Sequence, residues 1–154
     1  MSELKLNPQY VESVAKVVNK SPYFSLLSME IKDLQWGMSL LEIQLAEKHL
    51  QPFGFVHGGV IASIMDAATF WAVFPQIEKG LGLTTVEIKV NFLAPTQKGK
   101  LVAKGRCIRL GKTLALGDAE IRNQEGGLVA HGTATMMVMA NLKIPGQEDL
   151  PPSR

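Results

Sequence analysis

Residues 58–74 read GGVIASIMDAATFWAVF and run up against Pro75. Asp66 is the one charged residue in the stretch. The run sits at the lower length limit for a bilayer span. A carboxylate at mid-span, however, costs about 3 kcal/mol in lipid, and no basic flank anchors either end closely. The stretch therefore predicts a helix enclosed by protein, because a helix apolar all round has to be surrounded by other elements.

The segments on either side supply the surround. After the helix, residues 84–93 alternate, with Val86, Ile88, Val90 and Phe92 on one face and Thr85, Glu87, Lys89 and Asn91 on the other. That period of two predicts a strand, ended by Pro95 and Gly99. Strands are also expected over 100–110, 113–122 and 128–140, broken by Gly111-Lys112 and by the turn Asn123-Gln124-Glu125-Gly126-Gly127. Before the helix, two strand-like runs, 25–34 and 38–46, meet at Trp36-Gly37. In the second, Leu41, Ile43 and Leu45 alternate with Glu42, Gln44 and Ala46. Residues 8–19, opened by Pro8, place Val11, Val14, Ala15 and Val18 at helical spacing. Wrapping one antiparallel sheet around the apolar helix is the economical solution, an α+β architecture. The small residues Gly117, Ala119, Gly132 and Ala134 would let sheet and helix approach closely. The chain reads as one domain over 1–154, with its core at about 24–140. The tail 144–154 holds three prolines and is expected to be loose.

Composition narrows the functional classes. Hydrophobic residues make up 46% and charged residues 19%, ordinary for a soluble globular protein. A net charge of +2 without any basic block argues against nucleic acid as a partner. Cys107 is the single cysteine, which fits a reducing compartment. The N-terminus shows neither an apolar h-region nor a cleavage site. A cytoplasmic location is therefore expected. His57, His131 and Cys107 do not share a metal-ligand spacing, so no metal is expected. His131 and Cys107 read as structural residues on strands.

The start of the apolar helix carries the chemistry. Gly58-Gly59 puts backbone without Cβ at a helix N-terminus. There the first N–H groups lack internal partners and the dipole is positive. Such groups can polarise a carbonyl and hold developing negative charge. Asp66 has no Lys or Arg within four residues, and an unpaired carboxylate on an apolar helix is costly unless it is solvated or used. Gly58 and Asp66 are eight residues apart, about 12 Å at 1.5 Å per residue. Reaction needs approach to about 3–3.5 Å, so both act on one bond only if they come from two antiparallel copies of the helix. That predicts a two-fold dimer with shared sites.

His57-Gly58-Gly59 followed by Asp66 resembles the signature of PaaI-like hotdog-fold thioesterases of the 4-hydroxybenzoyl-CoA thioesterase superfamily. Pro52-Phe53-Gly54, Thr85-Val86-Glu87, Phe92-Leu93-Ala94-Pro95 and Gly111-Lys112-Thr113-Leu114-Ala115 carry the likeness over about residues 24–140. The resemblance implies hydrolysis of acyl-CoA, with the Gly58 N–H on the thioester carbonyl and Asp66 as nucleophile or general base. His57 would orient or border the thioester. The family commonly places Asn six residues before that His. Gln51 stands here, with the same amide chemistry at longer reach. Thr85 matches a family Ser or Thr that binds the attacking water. Substrate contacts would come from Gly59, from the turn Gly111, Lys112 and Thr113, and from Arg109 and Lys89 as further cations for the CoA phosphates. CoA belongs to the substrate, and no separate cofactor is expected. A dimer of dimers is compatible with the family.

Two other functions stay open on the sequence. One is a hydratase or dehydratase acting on acyl thioesters, though those pair a His with an acid in a different loop pattern. The other is a non-catalytic acyl-CoA-binding or regulatory module, which would have no use for an unpaired carboxylate at Asp66.

Overall fold

The structure is a computed structural model and describes residues 4–146 and 150–153. Helix α1 spans Pro8–Val18, with Pro8 in its first turn and the Asn7 side chain accepting from the Gln9 N–H at 3.0 Å. Its buried residues are Tyr10, Val14 and Val18. A second short helix, α2, spans Pro22–Leu27. The strand expected from residue 25 therefore begins only at Met29. The run Ser25–Leu27 is too short for its periodicity to separate helix from strand, and Pro22 starts a helical turn. Strands β1 (Met29–Gln35) and β2 (Met38–Gln44) follow, and Gly37 turns between them at φ +78°.

The apolar stretch forms helix α3, Gly58–Val73, with ten buried residues spread around its circumference. Length and composition alone would let Gly58–Gln76 cross a bilayer. In the fold, α3 instead touches all six strands. The remaining strands are β3 (Leu81–Phe92), β4 (Lys100–Leu110), β5 (Leu114–Arg122) and β6 (Leu128–Ala140). All pair antiparallel in the order β1-β2-β4-β5-β6-β3, so β1 and β3 are the free edges.

Small residues do bring sheet and helix together, though not all where expected. A Cβ on Gly117 would meet Thr69 of α3 at 3.2 Å, and Ala119 and Ala134 are buried. The closest approach is at Gly105 on β4, where a Cβ would run into the Ala68 carbonyl oxygen and the Ser39 hydroxyl. Gly132 differs from expectation: its crowded neighbour is the Lys89 carbonyl of β3, not the helix.

Where it is described, the tail meets the body of the fold. Ile144 and Leu150 pack on the core, the Asn7 N–H donates to Pro152 O at 2.9 Å, and Leu6 pairs with Ser153. The reason is apolar side chains amid the prolines. Residues 147–149 and 154, also part of the tail expected to be loose, lie outside the described residues.

Candidate active site

The start of α3 is arranged around a single unused donor. His57 is the N-cap, at φ −64° and ψ 136°, and its Nδ1 accepts from the Gly59 N–H at 2.8 Å. With Nδ1 accepting, the neutral ring carries its proton on Nε2. The Val60 and Ile61 N–H groups point to His57 O at 2.9 and 3.5 Å. The Gly58 N–H has no partner among the described residues. Of the first four helix donors it is therefore the one available to a ligand. A pocket of about 390 Å³ opens beside it, lined by Gln51, Phe55, Ile61, Phe92 and Pro95 among others.

Gln51 thus shares the Gly58 pocket. Its Oε1 accepts from the Phe53 N–H within its own turn. His57 caps the helix and engages the N–H of Gly59, a residue expected to contact substrate.

Asp66 opens on a different space. It is half-buried and lines a cleft of about 690 Å³ with Ser63, Phe70 and Trp71 of α3, Tyr23 and Phe24 of α2, and Thr85, Val86 and Glu87 of β3. Thr85 Oγ1 donates to Asp66 Oδ1 at 2.7 Å. The hydroxyl expected to hold water therefore holds the carboxylate. A register shift in the β3–β6 ladder between Thr85 and Glu87 marks a bulge there, a device that re-aims side chains near sites. No Lys or Arg lines the cleft, and no ion pair reaches Asp66 among the described residues. The carboxylate is thus held by a neutral hydrogen bond from Thr85 and borders the cleft.

The expected CoA-binding group stands apart from both spaces. Gly111, Lys112 and Thr113 form the β4–β5 turn, closed by Gly111 N–H to Leu114 O at 2.8 Å. Lys112, Arg109 and Lys89 are exposed and line neither the cleft nor the Gly58 pocket. No group of three or more His, Cys, Asp or Glu suited to a metal occurs among the described residues.

Several residues were not anticipated from the sequence. Buried His49 braces the lead-in loop: its Nδ1 accepts from the Ala46 N–H at 2.9 Å, its Nε2 meets Leu27 O at 2.7 Å, and its carbonyl accepts the His57 N–H at 2.8 Å. Tyr23 Oη and Ser63 Oγ lie 2.7 Å apart in the Asp66 cleft. Ser63 carries a weak sequence signal, one turn before Asp66 on the same face. Away from the cleft, Asp118 binds Arg106 through two hydrogen bonds, at 3.0 and 2.8 Å, with His131 Nε2 3.7 Å away. Partial burial pushes the Asp118 carboxyl up, but the Arg106 hydrogen bonds and charge, joined by His131, hold it below its ordinary value. Asp118 sits between inward-facing Gly117 and Ala119, so this cluster lies on the sheet face away from α3.

A single antiparallel sheet curled around one central helix, with an open donor at the helix start, defines the α+β hotdog class. Residues 53–130 match the thioesterase superfamily, and the chain belongs to that superfamily. It is 27% identical to a 1,4-dihydroxy-2-naphthoyl-CoA hydrolase of Listeria monocytogenes over 117 residues, 76% of this chain and 95% of that one. It is also 27% identical to acyl-coenzyme A thioesterase 13 of Mus musculus over 131 residues, 82% of this chain and 93% of that one. A crystal structure of a thioesterase from Haemophilus influenzae superposes with a TM-score of 0.80 at 24% identity, covering 88% of this chain and 94% of that one. At that identity the likeness speaks for the fold.

Proposed function

We propose that the protein hydrolyses acyl-CoA thioesters to free acid and CoA, as a homodimer in which each site joins Gly58 of one subunit to Asp66 of the other. The observation that carries this reading is that the free Gly58 N–H and the Asp66 carboxylate line two different spaces of one protomer.

The free edge β3 supplies a means of joining them. Val86 and Phe92 on this strand are 57% and 58% exposed, and an apolar edge of this kind invites a second strand. The other edge, β1, buries its apolar Met29, Ile31 and Leu34 and exposes only Glu30, Lys32 and Gln35. Phe92 lies against Gly58, since a Cβ there would touch its ring at 3.3 Å, and Thr85 lies against Asp66. Pairing β3 antiparallel with its copy about a two-fold axis would carry the Phe92 end of one strand toward the Thr85 end of the other, and with it the Gly58 pocket toward the partner subunit's Asp66 cleft.

In such a site the Gly58 N–H and the helix dipole stabilise the oxyanion formed from the thioester carbonyl. Thr85 fixes Oδ1 of Asp66 and leaves Oδ2 toward the reacting carbon. Oδ2 either attacks that carbon, giving an anhydride that water cleaves, or takes a proton from attacking water. Either route breaks the C–S bond and releases CoA as the thiol. No cofactor takes part, and the reaction belongs in the cytoplasm. The long CoA nucleotide would find cations in Lys112, Arg109 and Lys89 at the surface.

The test is a panel of aryl, short and medium acyl-CoAs, with thiol release followed by a colorimetric reagent. Wild type turns over at least one of them, and Asp66→Ala loses turnover while still binding CoA. Binding by wild type without turnover anywhere in the panel would refute the enzyme reading in favour of a binding module.

A further inference from the structure

The Asp66 cleft has a wall whose attachment the catalytic reading leaves unused. Helix α2 covers one side of the cleft with Tyr23 and Phe24; Phe24 and Leu27 rest part-buried on the core and the rest of the helix is exposed. Its C-terminal end is fastened to the lead-in loop, by Leu27 O on His49 Nε2 at 2.7 Å and by Ser28 Oγ accepting from Lys48 Nζ at 2.8 Å. Its N-terminal end reaches α3 through the hydroxyl pair of Tyr23 and Ser63, at 2.7 Å. Ser63 Oγ donates to Gly59 O at 2.7 Å, so its proton is committed and Tyr23 donates to Ser63. Gly59 O, Ser63 and Tyr23 thus form a chain of hydrogen bonds from the helix core to the cleft wall.

The position of this chain matters. Ser63 stands one turn before Asp66 on the same face of α3, so the tether meets α3 beside the reacting carboxylate. The rest of the wall is apolar: Val18, Phe24, Met29, Phe70, Trp71 and Ile144. An acyl group lying in this cleft packs between α2 and α3, and the distance between those helices sets the thickness it can have. Phe24 and Leu27 rest part-buried on the core, and the Tyr23 end of α2 is held to α3 by the hydroxyl pair, so the width of the cleft at that end depends on it.

We infer that the Tyr23–Ser63 pair is the acyl-size selector of this site, fixing the α2 wall and restricting the cleft to slender or short acyl groups. The inference rests on the thioesterase reading for its substrate but is testable without turnover. Tyr23→Phe and Ser63→Ala each remove the tether, and Tyr23→Phe keeps the ring in place.

The experiment measures equilibrium binding, in the Asp66→Asn background, of straight-chain acyl-CoAs from four to fourteen carbons and of a branched acyl-CoA. Either substitution should shift affinity toward the bulkier acyl groups by about three- to fivefold relative to the shortest, the scale of one neutral hydrogen bond. The double variant should shift the size profile no further than Ser63→Ala alone, because that substitution already removes the Tyr23–Ser63 bond along with the Ser63 bond to Gly59 O. An unchanged size profile, or two shifts that simply add, overturns the selector. Failure to bind any acyl-CoA overturns it as well. Size-selective binding alongside a wild type that turns over nothing leaves the selector standing and removes the hydrolase reading alone.

Discussion

Two inactive variants of this chain should restore each other. Gly58→Pro removes the one open donor at the start of α3. Gly58 is the first helical residue, the position where proline is tolerated best. His57 before it already has the extended conformation a residue preceding proline requires, at φ −64° and ψ 136°. The added ring atoms approach Phe92, whose exposed ring can give way. The substitution thus deletes a hydrogen-bond donor and little else. Loss of one oxyanion donor lowers kcat by about 10²–10³-fold. Asp66→Ala removes the carboxylate from the second space. Co-expressed in equal amounts, the two variants form about half their dimers as mixed pairs. Each mixed dimer has one site with both groups intact and one with neither. About a quarter of wild-type thioesterase activity should therefore return in the unfractionated mixture, and about half in mixed dimers isolated through two different subunit tags in succession. Activity no higher than the mean of the two parents would refute the shared site, since a carboxylate and donor acting within one chain cannot be complemented.

Further outcomes follow from the same structure. Thr85→Val leaves Asp66 Oδ1 without its 2.7 Å donor. It should lower kcat about tenfold with a smaller change in KM, in the range of one positioned group, and Thr85→Ser should recover most of the loss. Asp118 is held below its ordinary value of 3.8, so the stability it contributes is present above that pH and is lost as pH falls from there through the carboxyl's lowered folded-state value. The melting-temperature gap between wild type and Asp118→Asn should therefore be widest near neutrality and close in acid, read by thermal melts from pH 7 to pH 3. Gly105→Ala forces a Cβ into the Ala68 carbonyl and the Ser39 hydroxyl. It should cost about 1–3 kcal/mol or more, as overpacking does, seen in urea unfolding with an unchanged slope.

The central helix and most of the strands were readable from local pattern. Residues 58–74 are apolar beyond what any half-exposed helix shows, and β2, β4, β5 and β6 are bounded by turn residues close to where they end. The pattern failed where local signals were balanced. Ser25–Leu27 carried no period long enough to separate helix from strand. On β3, alternation separated two faces without saying how each is covered. An edge position and a bulge at Val86 leave both faces largely open. The glycine that meets the helix most closely was missed because Gly105 looks like any strand glycine until Ala68 is placed above it.

For the site, the sequence determined the ingredients and one constraint: an open helix start, an unpaired carboxylate, and eight residues of helix that keep them about 12 Å apart. A helix has a fixed rise, so that separation needs no coordinates. The tertiary structure decided the partners. Thr85 comes to Asp66 from nineteen residues away and Tyr23 to Ser63 from forty. Only the curl of the sheet around α3 puts the helix start and the carboxylate into separate spaces. Hydrogen bonds between distant segments depend on how layers pack, and no period in a single chain encodes them.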